Sequence, residues 1–114
     1  MPKANKEFIL NYTANRWKLN SKRNVGPTSD SIRRCNPANL EEWKQYYYLK
    51  VRSPQQIDVL GHALAQHIKE DLPGEERFHP NLISSIKEQD CVNYMHKLVI
   101  ERVYDGFKKE RGLA

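Results

Sequence analysis

Nine side chains between Asn15 and Arg34 are of the types that grip a polyanion. Arg16, Lys18, Lys22, Arg23, Arg33 and Arg34 can neutralise phosphates, and Asn15, Asn20 and Asn24 carry the amides that read base edges. Tyr12 and Trp17 are interleaved with them, and flat rings stack on bases. The charge is concentrated here. Up to Arg34, eight basic residues face only Glu7 and Asp30, a net +6, whereas the remainder has 11 basic and 12 acidic residues, a net −1. An asymmetry of that kind points to a polyanionic partner, and nucleic acid fits it better than a membrane surface. The basic residues are flanked by neither an amphipathic apolar face nor a lipidation motif.

Other chemistries find little support. His62 and His67 are five apart, on different faces of a helix, so they cannot form the i, i+4 pair of a zinc helix. His79 and His96 have no Cys or carboxylate at ligand spacing, and no metal site is expected. Cys91 falls on an apolar stripe, where a small buried hydrophobe is the better reading than a nucleophile, and Cys35 is isolated. The five glycines are scattered and form no phosphate loop. Asp30 with Glu42-Trp43-Lys44 matches the loose carboxylate pattern of magnesium nucleases. In such sites the second carboxylate and the Lys share one face of a strand. Here they sit in a capped helix, where i and i+2 diverge by roughly 200°, and Glu42 is already engaged as a capping residue.

The elements that must position these residues read as helices. The chain has 114 residues, 39% of them hydrophobic, with a mean hydropathy of −0.83, which suits one small domain. No apolar run approaches the ~18 residues that would span a bilayer. No leader is visible, and two cysteines without an export signal suit a reducing cytoplasm. Lys6 to Ala14 reads as a short helix and Leu19 to Pro27 as a loop. Thr28 or Ser29 can cap a further short helix through Cys35. Asn39 with Glu42 opens the next, whose stripe is Leu40, Trp43, Tyr47 and Val51; within Tyr46-Tyr47-Tyr48 only the middle ring faces the core. Ser53-Pro54-Gln55-Gln56 opens another, with Ile57, Leu60, Leu64 and Ile68 on one face and Leu72-Pro73-Gly74 as its stop. Gly61, inside that helix, marks a close packing of helices. Pro80 opens a short helix with Ile83 and Ile86, and Asp90 caps a long final one bearing Met95, Leu98, Val99, Val103 and Phe107. Period-2 runs are almost absent. The expected fold is all-α, with five or six helices: a basic, Asn-rich segment over 1–37 and a helical domain over 38–114.

Four pieces, in order, resemble a known family. They are Ile9-Leu10-Asn11-Tyr12-Thr13-Ala14-Asn15, Asn24-Val25-Gly26-Pro27-Thr28-Ser29-Asp30-Ser31-Ile32, Leu40-Glu41-Glu42-Trp43-Lys44-Gln45-Tyr46-Tyr47, and Cys91 through Lys97-Leu98-Val99-Ile100-Glu101-Arg102-Val103-Tyr104-Asp105-Gly106-Phe107 to Glu110. Together they are similar to the helical N-terminal part of type II restriction endonucleases of the MjaI kind. Val103 stands where the family pattern has Thr. The family continues into a mixed sheet carrying the metal-binding carboxylates and Lys, whereas this sequence stops at Ala114, as a truncated or split gene product would.

The resemblance implies duplex DNA as partner, cut at a specific site, with a missing catalytic domain or a homodimer completing the enzyme. It makes Glu110 the helix Glu that faces the metal, unable to carry chemistry by itself. No cofactor is expected in this chain, and Mg2+ only where a catalytic core is supplied elsewhere. The competing expectation is a non-enzymatic helical protein-interaction domain. A helix-turn-helix regulator fits less well, because no adjacent helices show the short Gly-containing turn.

Overall fold

The computed structural model describes residues 5–26, 37–75 and 77–112 and is all-α. Helix α1 spans Lys6–Arg16, capped by the Asn5 side chain, which accepts from the Phe8 amide. Helix α2 is the single turn Lys22–Val25. Helix α3, Leu40–Tyr46, runs directly into a π-turn over Tyr47–Val51. Helix α4, Pro54–Asp71, is the longest, and a 3-10 turn, Leu72–Gly74, ends it. Helix α5 is Pro80–Ser85 and α6 is Glu88–Lys97. A second π-turn, Leu98–Arg102, leads from α6 into α7, Val103–Glu110.

Local chemistry explains most of these boundaries. The Asn39 side chain accepts from the Glu42 amide, while the Glu42 carboxylate reaches back to the amide of Ala38. Ser53 and Gln56 cap each other reciprocally ahead of Pro54. The expected Asp90 cap needs correction. Helix α6 begins two residues earlier, at Glu88, and Asp90 sits in its first turn with its carboxylate accepting from the Lys87 amide. An aspartate three residues into a helix satisfies an orphan donor as well as a cap does. The candidate short helix after Thr28 or Ser29, with Asp30, Arg33, Arg34 and Cys35, lies outside the described residues.

Helices α4 and α6 form the central pair. They approach so closely that a Cβ built on Gly61 would stand 2.5 Å from the Val92 Cα. Around them one core gathers Ile57, Leu64, Ile68, Met95, Leu98 and Val99. Trp43 is fully buried, with ring centroids at 5.1 Å to Phe107, 5.6 Å to Tyr47 and 5.7 Å to Tyr104. Tyr46 and Tyr48 flank the buried Tyr47, as their spacing requires. Leu40, expected in the core, is 40% exposed: as the first residue of α3 it lies at the rim of the stripe. The segment before residue 26 also contributes to this core, through Ile9, Leu10, Ala14, Leu19 and Val25.

Cys91 is fully buried, and burial, with Asp90 and Glu88 nearby, pushes its thiol up to about 11. The thiolate is the reactive species, so about a thousandth of this thiol is reactive at pH 8. The expected result is that iodoacetamide at pH 8 leaves the Cys91 peptide unlabelled in the folded protein and labels it in urea. Rapid native labelling would contradict the burial.

Candidate nucleic-acid interface

The basic segment is held in shape by hydrogen bonds to its backbone. Helix α1 ends in a turn in which the Leu19 amide donates to the Ala14 carbonyl and the Lys18 amide to that of Asn15. That pattern places Lys18 at the left-handed position usually filled by glycine, and its φ is 56°. A left-handed lysine costs roughly 1–2 kcal/mol. The Asn24 side chain supports the turn by donating to the Lys18 carbonyl, at 2.8 Å.

One turn of helix leaves its last carbonyls without intrahelical partners. In α2 they are taken by two side chains far along the sequence. Arg52 donates through Nη2 to the Arg23 carbonyl at 3.0 Å and through Nε to that of Asn24 at 3.3 Å. The Tyr47 hydroxyl donates to the Val25 carbonyl at 2.5 Å, and burial raises its pKa well above that of a free phenol. These clamps explain why Leu19 to Pro27, read as loop, contains a helical turn: tertiary partners, not local propensity, make it.

Seven of the nine sequence-predicted contact residues are described, and those seven do not form one patch. Asn20 and Lys22 line a groove between α2 and α7. Asn15 and Arg16 lie along a hollow on α1, with Phe8, Asn11 and Tyr12. The Asn20 amide donates to the Asn15 side chain at 2.5 Å and links the two places. The Arg16 guanidinium is engaged by Glu75 at 2.8 Å and by the Tyr12 hydroxyl, contacts that raise its pKa further. Asn24 uses its NH2 within the segment, as above. Lys18 and Arg23 are exposed and form no ion pair among the described residues. Arg33 and Arg34 lie outside the described residues. Trp17 is 41% exposed and stacked on His67 at 4.2 Å, with ring planes 9° apart.

The groove has a volume of about 290 Å³. Val25, Leu98, Val103 and Phe107 make its apolar wall, Gly106 lies in it, and Lys22, Arg102 and Glu110 charge its margin. Lys22 Nζ is 3.6 Å from Glu110 Oε1, and Arg102 donates to the Asn11 side chain at 2.8 Å. The structure therefore brings Asn20 and Lys22, predicted for DNA, to the same cavity as Glu110, predicted for metal.

The family model described as MjaI restriction endonuclease matches residues 7–113, nearly the whole chain. The chain belongs to the MjaI restriction endonuclease family. No curated protein and no solved structure matches it. In this MjaI-family chain no helix among the described residues is long and apolar enough to cross a membrane.

The Mg2+ that such a family implies takes near-octahedral oxygen ligands, usually one or two carboxylates plus waters and phosphates. Glu110 is a lone carboxylate held by Lys22, and no group of three or more His, Cys, Asp or Glu among the described residues could hold a metal. The described part of the MjaI-family chain does not fit the ion. Its histidines have structural partners instead. His62 pairs with Glu88, His67 with Asp71, and the His79 ring accepts from the Asn81 amide. His96 lies 2.7 Å from Asp58 Oδ1 and 2.5 Å from the Tyr48 hydroxyl, so it joins α4 to the first π-turn.

Sequence reasoning missed Arg52 and Arg102. Each lies outside the basic first third, and only the tertiary fold carries it to that segment.

Proposed function

We propose that this chain is a cytoplasmic, duplex-DNA-contacting domain with a type II restriction endonuclease-like role. The observation that supports this most directly is a pair of exposed cations, Lys18 and Arg23, without an ion pair among the described residues, on a segment clamped by Arg52, Tyr47 and Asn24 in a member of an endonuclease family. A fixed cation loses less freedom on meeting a phosphate than one on a floppy arm. Lys18, Lys22 and Arg23, with Arg33 and Arg34, contact the phosphates on this reading, and Asn15 and Asn20 are the amides available for base edges. Cleavage requires Mg2+ and further acidic ligands, contributed by a catalytic core or a second copy.

The test is the slope of log K against log salt for duplex binding. Each phosphate contact removed lowers the slope by about 0.9. Lys18→Gly is the cleanest variant, because glycine relieves the left-handed backbone while deleting the charge. The expected result is a slope reduced by about 0.9 in Lys18→Gly and again in Arg23→Ala, with Lys18→Gly at least as stable as the parent. Slopes unchanged in both variants, or an affinity indifferent to salt, would reject the reading in favour of a protein-interaction domain.

A further inference from the structure

Two glycines lie inside long helical runs, and their surroundings are opposite. Gly61 has Val92 backbone against it, so the chain itself demands the missing side chain. At Gly106 a Cβ would meet nothing within 4 Å. Glycine within a helix is unfavourable relative to alanine, and at Gly106 no atom of the described chain explains it. Gly106 lies in the α2–α7 groove beside Val103, Phe107 and Glu110. The bare backbone therefore widens a cavity that the described residues leave unfilled.

The groove's chemistry identifies an occupant. Its wall is apolar and includes an aromatic side chain, its margin carries Lys22 and Arg102, and Asn20 and Glu110 offer an amide and a carboxylate. At about 290 Å³ it stands at the small end of ligand sites, with room for one flat heterocycle. A flat, edge-polar group attached to a phosphate matches all of these features. We infer that the groove receives a single nucleobase extruded from the duplex, with Gly106 making room for it. Lys22 and Arg102 flank the sugar-phosphate that carries the base. Glu110 accepts from an exocyclic amine, so cytosine and adenine are favoured over thymine. The inference rests on the duplex-binding reading above and adds a base pocket to it.

Extruding a base is least costly where it is already unpaired. The probes are therefore two duplexes of one sequence, one perfectly paired and one with a single bulged dC, with a bulged dT duplex for comparison. The expected result is that the full chain binds the bulged dC duplex at least about fivefold more tightly than the perfect one, the lower end of what stacking one base supplies. The bulged dT duplex falls between them. Gly106→Leu, which fills the groove, abolishes the preference, and it keeps the salt slope because no cation is removed. Millimolar deoxycytidine monophosphate competes for the bulged duplex in the parent chain and not in the variant. The competition in the parent chain does not depend on how a larger substitution is accommodated.

Equal binding of bulged and perfect duplexes by the parent chain would overturn the base pocket while leaving duplex binding intact. A bulge preference that survives in Gly106→Leu and resists the nucleotide would overturn it too, because the protein would then be reading a bend. Failure to bind any duplex would remove the underlying functional reading, and the inference with it.

Discussion

Trp43→Ala is expected to cost about 3–5 kcal/mol, the largest loss from any single truncation in this chain. The indole is fully buried and has three buried aromatic neighbours, Tyr47, Tyr104 and Phe107. It connects α3 to the second π-turn and α7, and its Nε1 is 3.5 Å from the Val99 carbonyl. Truncation empties a large volume in the middle of this cluster. The rings around it are attached to two different segments, the first π-turn and α7, and cannot all close in. For a domain of this size the melting temperature should fall by on the order of 15 °C or more. Trp43→Phe should retain much of the stability, since it keeps a ring while losing the long hydrogen bond. The loss also reaches the groove, because Phe107 stacks on Trp43 and forms part of the groove wall. Urea unfolding of both variants measures the difference. A loss below 1 kcal/mol in Trp43→Ala would mean that the aromatic cluster does not hold these helices together.

Gly61→Ala is the second large effect, and it comes from adding one methyl. The new Cβ would stand 2.5 Å from Val92 Cα, 2.8 Å from Val92 Cγ2 and 3.0 Å from Val92 N. A side-chain rotamer change can relieve only one of those contacts. The other two are backbone atoms within α6, so α4 and α6 must separate. Overpacking typically costs about 1–3 kcal/mol, and the upper end is expected where backbone opposes backbone. Gly106→Ala provides the contrast: it adds the same methyl in open space, and helix propensity predicts a gain of up to about 1 kcal/mol. Thermal melts of the two variants should move in opposite directions. If both moved the same way, the close approach of α4 to α6 would be wrong.

Much of this architecture could be read from the chain because local chemistry sets it. The Ser53-Pro54-Gln56 start of α4, the Asn39 cap of α3 and the burial of Tyr47 follow from side chains within a few residues, and a glycine inside a helical stripe marks the close packing at Gly61 although its partner, Val92, is distant. What escaped the sequence depends on distant partners. Helix α2 is a turn of Lys-Arg-Asn-Val too short to hold itself, completed by Tyr47 and Arg52. Phe78 sits in a stretch that reads as polar loop, yet it is buried because Phe8 and Tyr12 of α1 receive it edge-on. Tyr104 was not on the expected stripe of the last helix, since a period of 3.6 assumes an uninterrupted α-helix. The candidate interface was half legible. Charge concentration located the basic segment, but spacing could not reveal that Arg16 is engaged by Glu75, or that Asn20 and Lys22 share a cavity with Glu110.

The π-turn at Leu98–Arg102 sets the angular phase of everything that follows it. The Val103 amide bonds to the Leu98 carbonyl five residues back, so the segment holds one residue more than an α-helical turn would. One residue is about 100° of azimuth. If the same residues ran on as an unbroken α-helix, Tyr104 and Phe107 would swing away from Trp43, and Gly106 and Glu110 away from α2. The wide turn absorbs the extra residue, so a single deletion here would regularise the helix and leave α7 aimed as it is. The wide turn thus acts as the dial that aims α7, and side-chain identity matters only once the dial is set.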